Sequence, residues 1–123
     1  MKINIAIISD DILFWNLFIP LLSRNIPGIQ TVVCGTYREI DKKTEKITCD
    51  LIIVDGGLSN LSSIELIQYI RMKKRILAPL WFFPEILSDT YILKAQEMGV
   101  NRFITKPFDP YVIVDEITTL LKK

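Results

Sequence analysis

The sequence predicts an α/β fold in which one parallel sheet of five strands is wound with helices on both faces. Five short apolar runs alternate with amphipathic or polar stretches, the pattern of repeated strand–helix units. The central run, Leu51 to Val54, is apolar at every position, as a strand buried on both faces requires. The length of 123 residues gives room for one domain with a proper core and none for a second.

The elements follow in order. Ile3 to Ile8 is the first strand, closed by Asp10 and Asp11. Leu13 to Leu22 has helical spacing, and Pro20 inside it should bend the helix by removing a hydrogen bond and crowding the preceding turn. Gln30 to Cys34 is a β-branched second strand, and Thr36 to about Lys46 a short charged helix. There Lys42, Lys43 and Lys46 interleave with Asp41 and Glu45 as a solvated face. After the third strand, Leu51 to Val54, residues Ile64, Ile67 and Ile70 line one face of a third helix. Leu77 to Phe83 is the fourth strand, with Pro79 near its start, where a missing N–H matters least. A helix from about Ser88 to Met98 buries Ile92, Ala95 and Met98 and is stopped by Gly99. Asn101 to Thr105 is a short fifth strand. Asp109 and Pro110 then cap and open a last helix whose stripe is Ile113, Ile117, Leu120 and Leu121.

Composition excludes several functions. Fifteen basic against fourteen acidic side chains give +1, too balanced for a nucleic-acid surface. Cys34 and Cys49 lack metal-ligand spacing and the chain has no histidine. Zinc sites, Ser-His and Cys-His triads and histidine acid–base chemistry are thereby removed. Two cysteines do not make a disulfide framework, so a reducing cytoplasm is the expected compartment. The apolar runs Ile3–Ile8 and Ile76–Phe83 are too short for a signal-peptide core or a membrane span.

Ligands of open α/β sheets bind beyond the carboxyl ends of the strands. Those ends carry Ser9-Asp10-Asp11, Asp55-Gly56-Gly57, Phe83-Pro84-Glu85 and Thr105-Lys106-Pro107. Read alone, Asp55-Gly56-Gly57 is also an ordinary turn, and Lys106 an ordinary surface lysine. Together they bring two or three carboxylates and one ammonium to one sheet edge. Crowded carboxylates repel and call for a cation. Oxygen-only ligands with open positions suit Mg²⁺, which readily accepts a substrate phosphate. A lysine can hold a phosphoryl oxygen, and an aspartate can itself be the nucleophile, giving an acyl phosphate.

These residues, in this order over a fivefold strand–helix chain, resemble the receiver domains of two-component response regulators. The resemblance covers the whole chain and rests on Asp10 and Asp11, Asp55, Lys106-Pro107-Phe108 and the approach GVNRFITK from Gly99. It implies a flavodoxin-like (βα)5 sheet of order 2-1-3-4-5, in a single receiver domain over residues 1–123 with no output domain in this chain. It further implies that Asp55 accepts a phosphoryl group and that Lys106 contacts it. Mg²⁺ would be bound by Asp10, Asp11, Asp55 and the Gly57 carbonyl. Two registers fit the acidic pair. The preferred one, counted back from Leu21-Leu22, puts Ser9-Asp10 at the family's pair and makes Asp10 the direct ligand and Asp11 peripheral; the other takes the Asp-Asp dipeptide literally and makes Asp11 the ligand. The resemblance also implies a cis peptide at Lys106-Pro107. The implied partners are a sensor histidine kinase or phosphotransfer protein and a downstream output protein. A homodimer is allowed, while direct nucleic-acid and membrane contacts are not expected. Any catalysis would be limited to self-phosphorylation and dephosphorylation at Asp55.

The chain departs from the family pattern at several places. Pro84 stands where the family has the Ser or Thr whose hydroxyl follows the phosphoryl group, and proline offers neither hydroxyl nor N–H. Glu85 adds a negative charge beside it. Ser59 and Ser63 replace a usual proline and glycine, and Ser9 stands in for an acid. Phe103 occupies the place of a rotating aromatic and reads equally as a core Phe. Tyr91, Phe108 and Tyr111 fall on the face that receivers use for partners, and Phe14 and Trp15 read as packing of the first helix. The rival reading is a pseudo-receiver, an interaction module that kept the fold and lost the switch. A small phosphatase would want a second Asp where Gly57 stands, and a flavin site would want a Ser/Thr-rich loop in place of ISDDILF.

Overall fold

The structure is a computed structural model that describes residues 3–45, 48–56, 62–84 and 88–121. Its strands are β1 (Ile3–Ile8), β2 (Ile29–Cys34), β3 (Leu51–Asp55), β4 (Leu80–Phe83) and β5 (Arg102–Phe103). Its helices are α1 (Ile12–Asn25), α2 (Tyr37–Thr44), α3 (Ser63–Gln68), α4 (Asp89–Glu97) and α5 (Pro110–Leu121). The strands form one all-parallel sheet of order β2-β1-β3-β4-β5.

Side chains alternate across a strand, so a sheet covered on both faces needs apolar residues at odd and even positions alike. Ile5, Ile7, Leu51 and Ile53 point into one layer with Phe14, Phe18 and Leu22 of α1 and Ile113 and Ile117 of α5. Ile8, Ile52 and Val54 point into the other, with Ile40 of α2, Leu66 and Ile67 of α3 and Ala95 of α4. Every residue of β3 is buried, Asp55 included.

Each helix entry has a local cause. Asp11, Thr36, Ser62 and Ser88 accept backbone N–H bonds from Leu13, Glu39, Glu65 and Tyr91 and so cap α1 to α4. Asp109 caps α5 by accepting from the Tyr111 N–H at 2.9 Å. Gly99 leaves α4 at φ +93, where a side chain would be strained and would also crowd Arg71.

Helix α1 carries Pro20 within it, and Pro20 and Asn16, whose carbonyl loses its partner, are both exposed to water. Two strands differ in extent from the sequence expectation. Strand β4 starts at Leu80 and not at Leu77, which is 85 % exposed. Pro79 O, next to the strand, accepts the Ile52 N–H of β3 at 2.8 Å, but the Ile76 and Ala78 carbonyls further ahead are taken by a side chain. Arg71 Nη1 donates to Ile76 O (2.7 Å) and Ala78 O (2.8 Å), and its Nη2 to Gly99 O (2.8 Å) and Asn101 Oδ1 (3.1 Å). Arg71 belongs to a π-helical turn, Tyr69–Lys73, that continues α3. In the same turn Tyr69 donates its hydroxyl proton to Asp41 of α2, which Lys74 also approaches at 3.4 Å. The second difference is the length of β5, two residues. Ile104 N–H bonds Phe82 O at 2.9 Å. The next ladder bond would need an N–H on residue 84, and proline has none.

Candidate functional site

The register Ile8↔Val54 brings residues 9 and 55 out of the sheet side by side. Gly56 turns the chain away at φ +60, and its N–H bonds Phe83 O at 3.0 Å. The Asp55 carboxylate, 4 % exposed, is held at both oxygens. Its Oδ1 accepts from Lys106 Nζ at 2.6 Å, and its Oδ2 accepts from the Ser9 hydroxyl at 3.0 Å. Burying a carboxylate calls for an opposite charge and hydrogen bonds around it, and Lys106 and Ser9 supply them.

Lys106 arrives on the segment after β5, through a cis Lys106-Pro107 bond. Its ammonium lies 5.7 Å from the ring centre of Phe14. Below it Phe14, Phe18, Phe83 and Phe108 pack as one aromatic floor, with Phe14–Phe83 and Phe83–Phe108 centroids 5.1 and 5.0 Å apart. Ser9 is fully buried. Its hydroxyl oxygen accepts the Asp11 N–H at 3.0 Å, and its carbonyl accepts the Trp15 indole N–H at 2.8 Å. The Ser9 N–H reaches the Cys34 carbonyl at 3.0 Å. Burial pushes the Cys34 thiol up to about 12, so it stays a thiol at neutral pH. In the adjoining loop Glu39 accepts the Gly35 N–H at 3.2 Å; a hydrogen bond from Lys43 chiefly holds its carboxyl below the ordinary range.

Asp55 and Lys106 are therefore brought together, with Ser9 as a third member. Asp10 is exposed at the end of β1, next to Ser9. Asp11 is spent otherwise, its Oδ1 accepting the Leu13 N–H at 2.9 Å as the cap of α1. Gly57, Ser59 and Glu85 lie outside the described residues. Pro84 is buried directly after β4. Phe103 is half-buried with its ring 6.0 Å from Phe82, which in turn lies 6.1 Å from Tyr91. Tyr111 is exposed at 68 %, whereas Phe108 packs on the core.

Among the described residues no group of three or more His, Cys, Asp or Glu side chains is placed to hold a metal. The oxygen donors at the sheet edge are Asp10 and Asp55, at the ends of the adjacent strands β1 and β3. Two carboxylates fit a hard divalent cation that keeps several waters. Sequence reasoning put Ser9 in the place of an acid; its hydrogen bond to Asp55 is what it missed. Its signal was its place directly after the first strand, level with Asp55.

Comparison with known proteins agrees with this architecture. Residues 5–118 match the family model described as the response regulator receiver domain. The chain is 24 % identical over 125 aligned positions to the alkaline phosphatase synthesis transcriptional regulatory protein PhoP of Bacillus subtilis. That match covers all of this chain and 50 % of the relative, so the chain spans about half the relative's length. A two-component response regulator from Clostridium difficile superposes with a TM-score of 0.84 at 23 % identity, over 97 % of this chain and 95 % of that one. The chemotaxis response regulator CheY4 of Vibrio cholerae superposes at 0.78 with 20 % identity, over 98 % and 100 %. At these identities the superpositions establish the fold, a flavodoxin-like five-stranded sheet. Among the described residues no helix is long and apolar enough to cross a membrane. Strand order, site position and the match over residues 5–118 converge, and the chain belongs to the response regulator receiver domain family of two-component signalling.

Proposed function

We propose that this domain accepts a phosphoryl group on Asp55 from a phosphohistidine donor, a sensor histidine kinase or a phosphotransfer protein. One Asp55 oxygen forms the new bond to phosphorus as the P–N bond of the donor breaks, and the imidazole leaves with its electron pair and takes up a proton. The observation that carries the reading is the Lys106 ammonium 2.6 Å from Asp55 Oδ1 at one strand-end basin. Lys106 orients the carboxylate before transfer and balances phosphoryl charge afterwards. Asp10 and Asp55, with the Gly57 carbonyl, would hold Mg²⁺, which supplies charge neutralisation for the phosphoryl oxygens. The capping role of Asp11 supports the register in which Asp10 is the direct ligand. Output then passes to a downstream protein or domain, or to a second copy of the chain, through a change in the population of two conformations.

A second reading is favoured by one observation. Pro84, buried after β4, has no hydroxyl with which to follow an incoming phosphoryl group. A pseudo-receiver that binds partners without switching would keep the same fold. Incubation with acetyl phosphate and MgCl2 followed by intact mass separates the two. A single phosphoryl adduct that is absent in Asp55→Asn supports phospho-acceptance; no adduct in the wild type supports the pseudo-receiver.

A further inference from the structure

Ser9 is the buried polar side chain at this basin that the proposed transfer leaves without a part. Its hydroxyl is engaged on both sides. The Asp11 N–H occupies a lone pair of Oγ at 3.0 Å, which turns the hydroxyl proton toward Asp55 Oδ2, also at 3.0 Å. Lys106 holds the opposite oxygen at 2.6 Å. The carboxylate thus has a neutral donor on one side and a cation on the other. The protein itself meets the cost of burying the charge.

We infer that Ser9 is a latch on Asp55 that sets how strongly this site demands a divalent cation, and that it holds the affinity for Mg²⁺ low. The inference rests on the phospho-acceptor reading and adds the regulation of that site. Two physical effects act in the same direction. A cation that ligates Asp55 meets carboxylate oxygens whose charge Ser9 and Lys106 already share, and both make good bonds to a charged acceptor. A hydroxyl at position 9 also adds no negative charge, so it creates none of the carboxylate repulsion that a divalent ion relieves. Ser9 is therefore a positioning residue: it acts on the metal and phosphate chemistry through Asp55.

Two variants separate the effects. Ser9→Ala removes the bond and adds no charge; Ser9→Asp removes the donor and adds a charge beside Asp55. Trp15 supplies the optical signal, because its indole N–H is bonded to the Ser9 carbonyl at 2.8 Å. MgCl2 is titrated into the full chain of the wild type and both variants at constant ionic strength. Tryptophan fluorescence is followed, with thermal melts run alongside. Ser9→Asp is expected to bind Mg²⁺ roughly tenfold or more tightly than the wild type. It should melt lower than the wild type without Mg²⁺ and gain about 5 °C more than the wild type when the ion is added. Ser9→Ala should bind about two- to threefold tighter. If neither variant binds Mg²⁺ more tightly than the wild type, the latch is refuted. If Ser9→Asp does not fold, an unchanged affinity in Ser9→Ala refutes it alone. Intact mass after acetyl phosphate treatment of the same proteins keeps the two readings apart. An adduct without the predicted order of affinities removes the latch and leaves phospho-acceptance. The predicted order without an adduct in any of the proteins does the reverse.

Discussion

Lys106→Ala should destabilise the domain by about 2 kcal/mol, and Asp55→Asn should remove most of that loss. At 2.6 Å the gross attraction of the pair is about 6 kcal/mol for an effective dielectric near 20. The net value is smaller, and the asymmetry of the pair decides how much. Asp55 is 4 % exposed at its side chain and Lys106 is 37 %. Removing one partner of a fully buried pair costs roughly 3–5 kcal/mol, and of a surface pair roughly 0–1. With the acid buried and the amine half in water, the expected loss falls between these limits. The penalty arises because a buried carboxylate is left with Ser9 as its remaining partner. In an Asp55→Asn background no charge is stranded, so the same Lys106→Ala change should lose under about 0.5 kcal/mol, chiefly the contact of the ammonium with the Phe14 ring. The assay is urea unfolding at pH 7, followed by far-UV circular dichroism for the four proteins of the cycle. A Lys106→Ala loss that is equal in both backgrounds, or below about 0.5 kcal/mol in the wild type, would refute the argument.

Further outcomes follow from other parts of the fold. Arg71→Lys keeps the charge but cannot span four acceptors, so the urea stability should fall by about 2 kcal/mol. Asp41 is held below the ordinary carboxylate range, first by the Tyr69 hydroxyl and then by Lys74. A lowered folded-state pKa gives stability that is present above the unfolded value and lost as pH falls through the folded one. Tyr69→Phe should therefore be less stable than the wild type at pH 6, and the gap should close below about pH 4 in urea midpoints. Native protein treated with iodoacetamide at pH 8 should leave Cys34 unmodified, since it is fully buried with its thiol pushed up to about 12. Peptide mapping should find Cys34 alkylated only in urea, and equal labelling in both states would contradict the burial argument.

Much of this arrangement was legible because a doubly covered parallel sheet writes itself as uninterrupted apolar runs. Ile3–Ile8 appears in the structure with the bounds read from sequence. The Asp109-Pro110 entry to the last helix also stands where cap chemistry put it. The meeting of Asp55 with Lys106 was legible for a topological reason: both follow strands of one parallel sheet, so both emerge at one edge. Hydrophobicity alone misled at Leu77, an apolar residue at the surface, where Arg71 and not a neighbouring strand takes the nearby carbonyls. No periodicity marks an arginine that bonds backbone across 28 residues, as Arg71 does to Gly99. Counting from Leu21-Leu22 already set Asp11 apart from Asp10, but it did not carry what each side chain bonds. Asp11 caps a helix, and the buried partner of Asp55 is the serine before the pair. That distinction depends on side-chain direction at the end of β1, which a string of residue types does not encode.

Pro84 ends the β4–β5 ladder at the Ile104–Phe82 bond, and this has a consequence for Lys106. Thr105, the one residue between that last rung and the lysine, and Lys106 itself are carried past the sheet with no backbone bond to it among the described residues. Amide exchange at Thr105 and Lys106 should accordingly run ahead of that at Ile104, so the charge that faces Asp55 is carried on backbone beyond the last rung of the β4–β5 ladder.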